Sequence, residues 1–217
     1  LPEEASVWRG SAAALLGIAQ WISGDLDAAS ESIAAGSVSM HKAGEISGLI
    51  STIYILAALK AAKGQLREAE RECRKALDIA AEHKGISFQG TADIYVNLSA
   101  ISFRRGELEQ AEQQLNTSQA LGEHAALPES RHHWYITMAQ IRQAQGDFDE
   151  ALALLDEAQD IQIESPAPDV RPVAAWKAQL AIARGQADAA LDWAKKRGLS
   201  LDDELSYLRE FEHLTFA

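Results

Sequence analysis

The sequence predicts an all-α protein, a right-handed superhelix of about five and a half stacked helix pairs. Three observations carry that expectation. Glycines recur at a near-constant interval: Gly24, Gly64, Gly106, Gly146 and Gly185 stand 40, 42, 40 and 39 residues apart. Fixed residue types accompany each glycine. Alanine and leucine dominate the chain, with only 5 prolines, which favours helix over strand.

The register around the glycines defines the unit. Five residues after each comes Ala29, Ala69, Ala111, Ala151 or Ala190. Two after it comes Leu26, Leu66, Leu108 or Phe148, with Ala187 the weak copy. Seven before it the residue is small (Gly17, Ala57, Ser99, Ala139, Ala178), and eight before it come Leu16, Leu56, Leu98 and Met138, with Lys177 the exception. Nine after it come Ile33, Cys73, Leu115, Leu155 and Ala194.

Apolar positions before each glycine recur at three- and four-residue spacing, which predicts an amphipathic first helix. The glycine ends it by supplying the left-handed conformation common at helix C-termini. The polar residues that follow ("GDLD", "GQLR", "GELE", "GDFD") open a second helix, where acids suit the dipole and the cap. The small residue before the turn and the alanine after it let the two helices approach closely. Each pair leaves an apolar face that the next pair must cover.

Second helices are expected to run to about Met40, His83, Glu123 and Ile163, and Pro128 marks a break. The stretch "ESPAPDVRP" (164–172) reads as a stiff inter-repeat loop, because the period passes through it without a slip. One repeat domain is therefore expected over 1–217, with units at about 4–44, 45–86, 87–127, 128–168 and 169–200 and a partial one at 201–217.

Composition narrows the function. Formal charge is −12, which argues against direct contact with nucleic acid or an anionic membrane. No apolar run approaches the roughly 18 residues of a membrane span, and the acidic start "LPEEASVWRG" has no signal-peptide core. The lone cysteine, Cys73, cannot form an internal disulfide and fits a reducing, cytoplasmic setting. It occupies the apolar register position of Ile33, Leu115 and Leu155, so it reads as a core residue rather than a nucleophile.

No catalytic or metal constellation emerges. His132 and His133 are neighbours, about 100° apart on a helix, and do not form a ligand pair as i,i+4 histidines would. His41, His83 and His124 fall late in second helices, where a helix C-terminus favours them. There is no HExxH, no cysteine pair, no phosphate-binding loop and no Gly-x-Ser-x-Gly elbow. Neither an enzyme nor a cofactor is expected.

The motif of Leu-small, seven residues, Gly, four residues, Ala, three residues, apolar resembles the tetratricopeptide repeat. "NLSAISFRRGELEQAEQQL" (97–115) and "TMAQIRQAQGDFDEALALL" (137–155) carry it most fully, with Tyr95 and Tyr135 at its aromatic position. The units are longer than the standard repeat of about 34 residues. That implies longer helices or longer loops. The lengthened form resembles the helical sensor region of the MalT-like large ATP-binding LuxR-family transcriptional regulators. The C-terminal "LDDELSYLREFEHLTFA" (201–217) resembles the start of a further repeat, so the sequence is expected to be a fragment of a larger protein. The resemblance implies a sensor and scaffold that receives a small-molecule effector or a regulatory protein, with self-association open to the parent protein. A generic scaffold docking a protein or peptide is the alternative.

In such arrays the first helices line a concave wall. The positions that face it are Trp21, Tyr54, Asp93, Asn97, Phe103, Arg104, His133, Gln140 and Gln143, an aromatic and polar mixture suited to rings and hydroxyls. A clamp for acidic peptide tails needs Lys and Asn at positions held here by Ala14, Tyr54, Val96 and Ile136, so that ligand class is disfavoured.

Overall fold

The computed structural model describes residues 3–83, 87–162 and 169–217. Among them the regular structure is all helical. The elements are α1 (Glu3–Ile22), α2 (Leu26–Lys42), α3 (Ile46–Ala62), α4 (Leu66–Glu82), α5 (Thr91–Arg104), α6 (Leu108–Leu121), α7 (Ser130–Gln145), α8 (Phe148–Asp160), α9 (Val173–Ala183), α10 (Ala187–Arg197) and α11 (Glu210–Phe216). Short 3-10 turns occupy Glu123–Ala125 and Tyr207–Arg209. The chain forms two compact units, Leu1–Ser130 and Arg131–Ala217.

The sequence period becomes geometry at the turns. All five repeat glycines have positive φ, between 75° and 85°. After each, the next amide reaches back five residues to a carbonyl: Asp25 to Gln20, Gln65 to Lys60, Glu107 to Ser102, Asp147 to Arg142 and Gln186 to Ala181, at 2.8–3.0 Å. This closure satisfies a carbonyl that the ending helix would otherwise leave without a partner. Asp25 and Asp147 then accept from Ala28 and Glu150 amides at 3.0 and 3.1 Å and cap the second helix. Gln65, Glu107 and Gln186 make no side-chain cap, so the acidic opening signal works through its side chain in two of five copies.

The small positions permit close approach. A Cβ on Gly17 would lie 2.6 Å from Ile33 Cγ1 and 3.0 Å from Ala29 O, and one on Gly36 would lie 3.1 Å from Gly10 O. Ala29, Ala69, Ala111 and Ala151 are fully covered, as are Ile33, Cys73 and Leu115. In the first unit, one core gathers Ile50, Ile53, Tyr54, Cys73, Ile94, Leu98 and Ile101 from α3, α4 and α5. A second joins Ala29, Ile33, Leu56 and Leu59. In the second unit, Ile136, Ala151, Leu155, Val173 and Leu180 form the core.

The extra length of the repeats has two sources. The helices α2, α3 and α4 each run 17 residues, whereas α6, α8 and α10 run 14, 13 and 11. The later units gain their length in connections instead. Second helices end at Lys42, Glu82, Leu121 and Asp160, within three residues of expectation. The expected end at Ile163 and residues 164–168 of the proline-rich stretch lie outside the described residues.

Candidate binding faces of the first helices

The nine expected groove residues divide between the units. Trp21, Tyr54, Asp93, Asn97, Phe103 and Arg104 fall in the first, and His133, Gln140 and Gln143 in the second.

In the first unit, two side chains of α5 reach back to backbone carbonyls of α3. Asn97 Nδ2 donates to Tyr54 O at 3.0 Å, and Arg104 Nη1 donates to Ala61 O at 2.9 Å. Both bonds span 43 residues, so they are one register contact made twice, two helical turns apart. Ala61 lies in the last turn of α3, where its carbonyl also accepts from the Gly64 amide at 3.1 Å, and the Arg104 guanidinium adds positive charge at that helix end. Asn97 is half-buried, Arg104 is exposed, and half-buried Phe103 lies beside it in sequence. Trp21 is half-buried against the core that holds Ile33 and Leu59.

Tyr54 and Asp93 lie deeper. Tyr54 is 9% exposed and belongs to the α3–α4–α5 core. Burial holds its hydroxyl well above the usual tyrosine range, and the acids Asp93 and Glu129 and the Cys73 thiol add to the effect. Asp93 has no exposed surface. Its Oδ2 accepts from the Leu127 amide at 2.8 Å, and Ser130 hydrogen-bonds the same carboxyl. Burial raises the carboxyl to about 7, against those hydrogen bonds, with Glu129 adding repulsion. Asp93 thus pins the segment that precedes α7.

In the second unit, His133, Gln140 and Gln143 recur on α7 at spacings of seven and three and share one face. All three are half-buried. Burial pushes the His133 imidazole down to about 4, and neighbouring His132 contributes. His133 is therefore neutral at physiological pH and can both donate and accept. Gln140 Nε2 donates back to Ile136 O at 3.3 Å within the helix. His132 itself is buried, and its Nδ1 lies 2.9 Å from Ala158 O of α8. The adjacent histidines thus divide their work: one ties the helix pair together, and the other lies on the face with the two glutamines.

Sequence reasoning missed a charged cluster near the C-terminus. Glu212 of α11 is 2% exposed and takes hydrogen bonds from Arg197 Nε at 2.6 Å and Arg209 Nε at 3.3 Å. Burial works to raise its carboxyl, but the two guanidinium groups outweigh it and hold Glu212 below the ordinary range. Arg209 Nη2 also donates to Arg197 O and caps α10. The sequence signal was faint: an acid between Phe211 and His213 reads as a solvent position. Among the described residues no three His, Cys, Asp or Glu side chains gather as a metal site would need, and no helix is long and apolar enough to cross a membrane.

Tandem antiparallel helix pairs, glycine turns in a fixed register and small residues at the pair contact define a tetratricopeptide-like repeat array. The sequence matches the family of MalT-like TPR regions over residues 1–217, and the chain belongs to that family. Solved structures agree on the fold. BtubC (BKLC) from P. vanneervenii is 16% identical, with 94% of each chain covered and a TM-score of 0.51. A Podosopora anserina putative kinesin light chain with nearly identical TPR-like repeats is 18% identical over 99% of this chain and 98% of that one, with a TM-score of 0.54. No curated protein matches the chain.

Proposed function

We propose that this chain is the effector-sensing and protein-interaction region of a transcriptional regulator, acting on the regulator's other modules by binding a small molecule or an inhibitor protein on its first-helix faces. The family match along the whole chain is the observation that carries this reading. The first-helix faces support it. One carries half-buried Trp21, Asn97 and Phe103 with exposed Arg104, and the other carries His133, Gln140 and Gln143, uncharged at neutral pH. The first combines polar groups with apolar surface, as small-molecule sites do, and the second offers neutral donors and acceptors. The residues proposed to meet a ligand are these seven, with Tyr54 and Asp93 as the support behind the first face. The array contributes binding rather than chemistry.

A thermal-shift panel of sugars, amino acids and aromatic acids tests the proposal. A ligand at a hundred times its Kd stabilises by about 2.7 kcal/mol. Arg104→Ala and Phe103→Ala should each remove a response mapped to the first unit while leaving the melting temperature of the unliganded protein within a few degrees. A response that survives both places the ligand elsewhere.

The second reading is a docking scaffold for a protein. The burial of Tyr54 and Asp93 favours it, because it leaves the first face shallow. Binding of an inhibitor protein that is insensitive to every metabolite would select it.

A further inference from the structure

The outer face of α4 departs from the pattern of its own repeat. Three residues after the turn glycine an acid stands in four units: Asp27, Glu109, Asp149 and Asp188. Two of them take a base from the next unit, Asp27 pairing with Lys63 and Asp149 with Arg184. In α4 that position holds Arg67. Arg105, in the register of Lys63 and Arg184, turns instead to Glu70 at 2.7 Å. Arg71, Arg74 and Lys75 follow Arg67 by four, seven and eight residues and share its face of the helix. All four are exposed, whereas Glu68, Glu70 and Glu72 of the same helix are half-buried. A basic stripe thus runs along one helix of a chain whose formal charge is −12.

Neither position in the array nor stability accounts for the stripe. The pairs α1–α2 and α5–α6 flank α4 within the first unit and still leave this face open. Arg67 stands in the first turn of α4, where the helix dipole favours an acid. Arg71 and Arg74 are steadied by Glu68 and Glu70 at 3.1 and 2.6 Å, but Arg67 and Lys75 meet no acid among the described residues. A local rule broken with no gain to the fold marks a surface kept for contact.

The chain also carries the complement of the stripe. Helix α8 holds no base, and its Asp149, Asp156 and Glu157 occupy the register positions of Arg67, Arg74 and Lys75. These three acids and Asp160 are exposed. Asp149 and Asp156 have Arg184 and Lys177 beside them, while Glu157 and Asp160 meet no base among the described residues. Two helices with charges of opposite sign at the same spacing can lie together with bases facing acids. Copies of so acidic a chain repel in most orientations, and the stripe selects one in which they attract. Exposed ion pairs are individually weak, so such a contact is sensitive to concentration and to salt.

We propose that the basic stripe of α4 docks the acidic outer face of α8 of a second copy of this chain. Each copy carries one of each surface, so the contact is head to tail. Static light scattering on the whole chain tests it in about 0.1 M salt, where repulsion between whole molecules is screened beyond about 10 Å. The average mass should rise above the 23.5 kDa of one copy as concentration rises. It should return to one copy in about 1 M salt, where screening reaches about 3 Å. Arg67→Glu with Lys75→Glu should hold the chain at single-copy mass, and so should Glu157→Lys with Asp160→Lys. Circular dichroism should be unchanged in both, because the four side chains are exposed. An equimolar mixture of the two variants should associate again, since each now complements the other. A chain with all four changes, whose formal charge is that of the parent, should associate as the parent does. Single-copy mass at every concentration overturns the proposal and leaves the stripe to a different acidic partner. Association that survives about 1 M salt, either variant associating alone, or a mixture that stays at single-copy mass overturns it equally.

Discussion

Ser99 Oγ donates to Ala111 O at 2.8 Å, and so joins the small residue seven before a turn glycine to the alanine five after it. The same two register positions meet in the first pair, where a Cβ on Gly17 would stand 3.0 Å from Ala29 O. These contacts explain why the sequence keeps both positions small. The helices of a pair cross there with little between their backbones.

Gly17→Ala tests that closeness. In a helix interior alanine should help by about 0.5–1 kcal/mol. Here the new methyl meets Ile33 Cγ1 at 2.6 Å and the Ala29 carbonyl at 3.0 Å, and overpacking costs about 1–3 kcal/mol. A net loss of about 1 kcal/mol is expected from urea denaturation. Ser99→Ala should cost about 0.5–1.5 kcal/mol, the worth of one hydrogen bond. A stabilised Gly17→Ala protein would show that α1 and α2 stand farther apart than described.

Asp93 gives the first unit an unusual dependence on pH. Its carboxyl is raised to about 7 in the fold, against roughly 3.9 in an unfolded chain. Below about pH 4 both states hold the proton and the site carries no penalty. As pH rises from there to about 7 the unfolded chain releases its proton first, so stability falls, by about 2–4 kcal/mol in all, and then levels off. Asp93→Asn keeps an oxygen that can accept from the Leu127 amide and removes the charge. The variant should be more stable than the parent at neutral pH, and the difference should vanish near pH 4. Equal denaturation midpoints at pH 7 would mean that Asp93 is not buried as a carboxyl.

Much of this fold was legible in the sequence because it is written five times. Gly64 and Gly106 could each be an ordinary loop glycine, but five in register with Ala69 and Ala111 specify a helix pair. The expected core position of Cys73 follows from the same register, and the structure places it fully buried, its thiol pushed up to about 12 by desolvation. The binding face was less legible. Register finds which residues point along a first helix, but not how deep they lie. Tyr54 and Asp93 share that register with Trp21 and Phe103, yet the α3–α4–α5 core and the segment before α7 close over them. Contacts between repeats were out of reach for another reason. Arg104 to Ala61 O and Asn97 to Tyr54 O depend on side-chain lengths across 43 residues, which no local pattern encodes.

The ion pairs of the second unit should differ in strength according to burial rather than distance. Arg184 Nη2 meets Asp149 Oδ1 at 2.8 Å, but the aspartate side chain is 89% exposed. A double-mutant cycle on this pair should return about 0.2–1 kcal/mol, less at high salt. Glu212 is 2% exposed between Arg197 and Arg209. Removing a buried partner costs about 3–5 kcal/mol, and the solvent exposure of both arginines places Glu212→Ala toward the lower end. Should Glu212→Ala prove as mild as Asp149→Ala, the packing of α11 onto α10 would contribute little to the fold.

His133 gives the second unit the opposite response to acid. Its imidazole is lowered to about 4, against roughly 6.5 in an unfolded chain. Above about pH 6.5 both states are neutral. As pH falls from there toward 4 the unfolded chain takes up its proton first, and the unit loses stability, by about 1–2 kcal/mol once its partial exposure is allowed for. Asp93 makes the first unit more stable over the same descent. Acidification from pH 7 should therefore raise amide protection factors in α5 and lower them in α7, once the intrinsic slowing of exchange in acid is divided out. His133→Gln, which keeps a donor and an acceptor without the titration, should abolish the acid effect on α7 and leave α5 unchanged. If α7 in that variant still loosens between pH 6.5 and pH 4, a group other than His133 sets the sensitivity of the second unit.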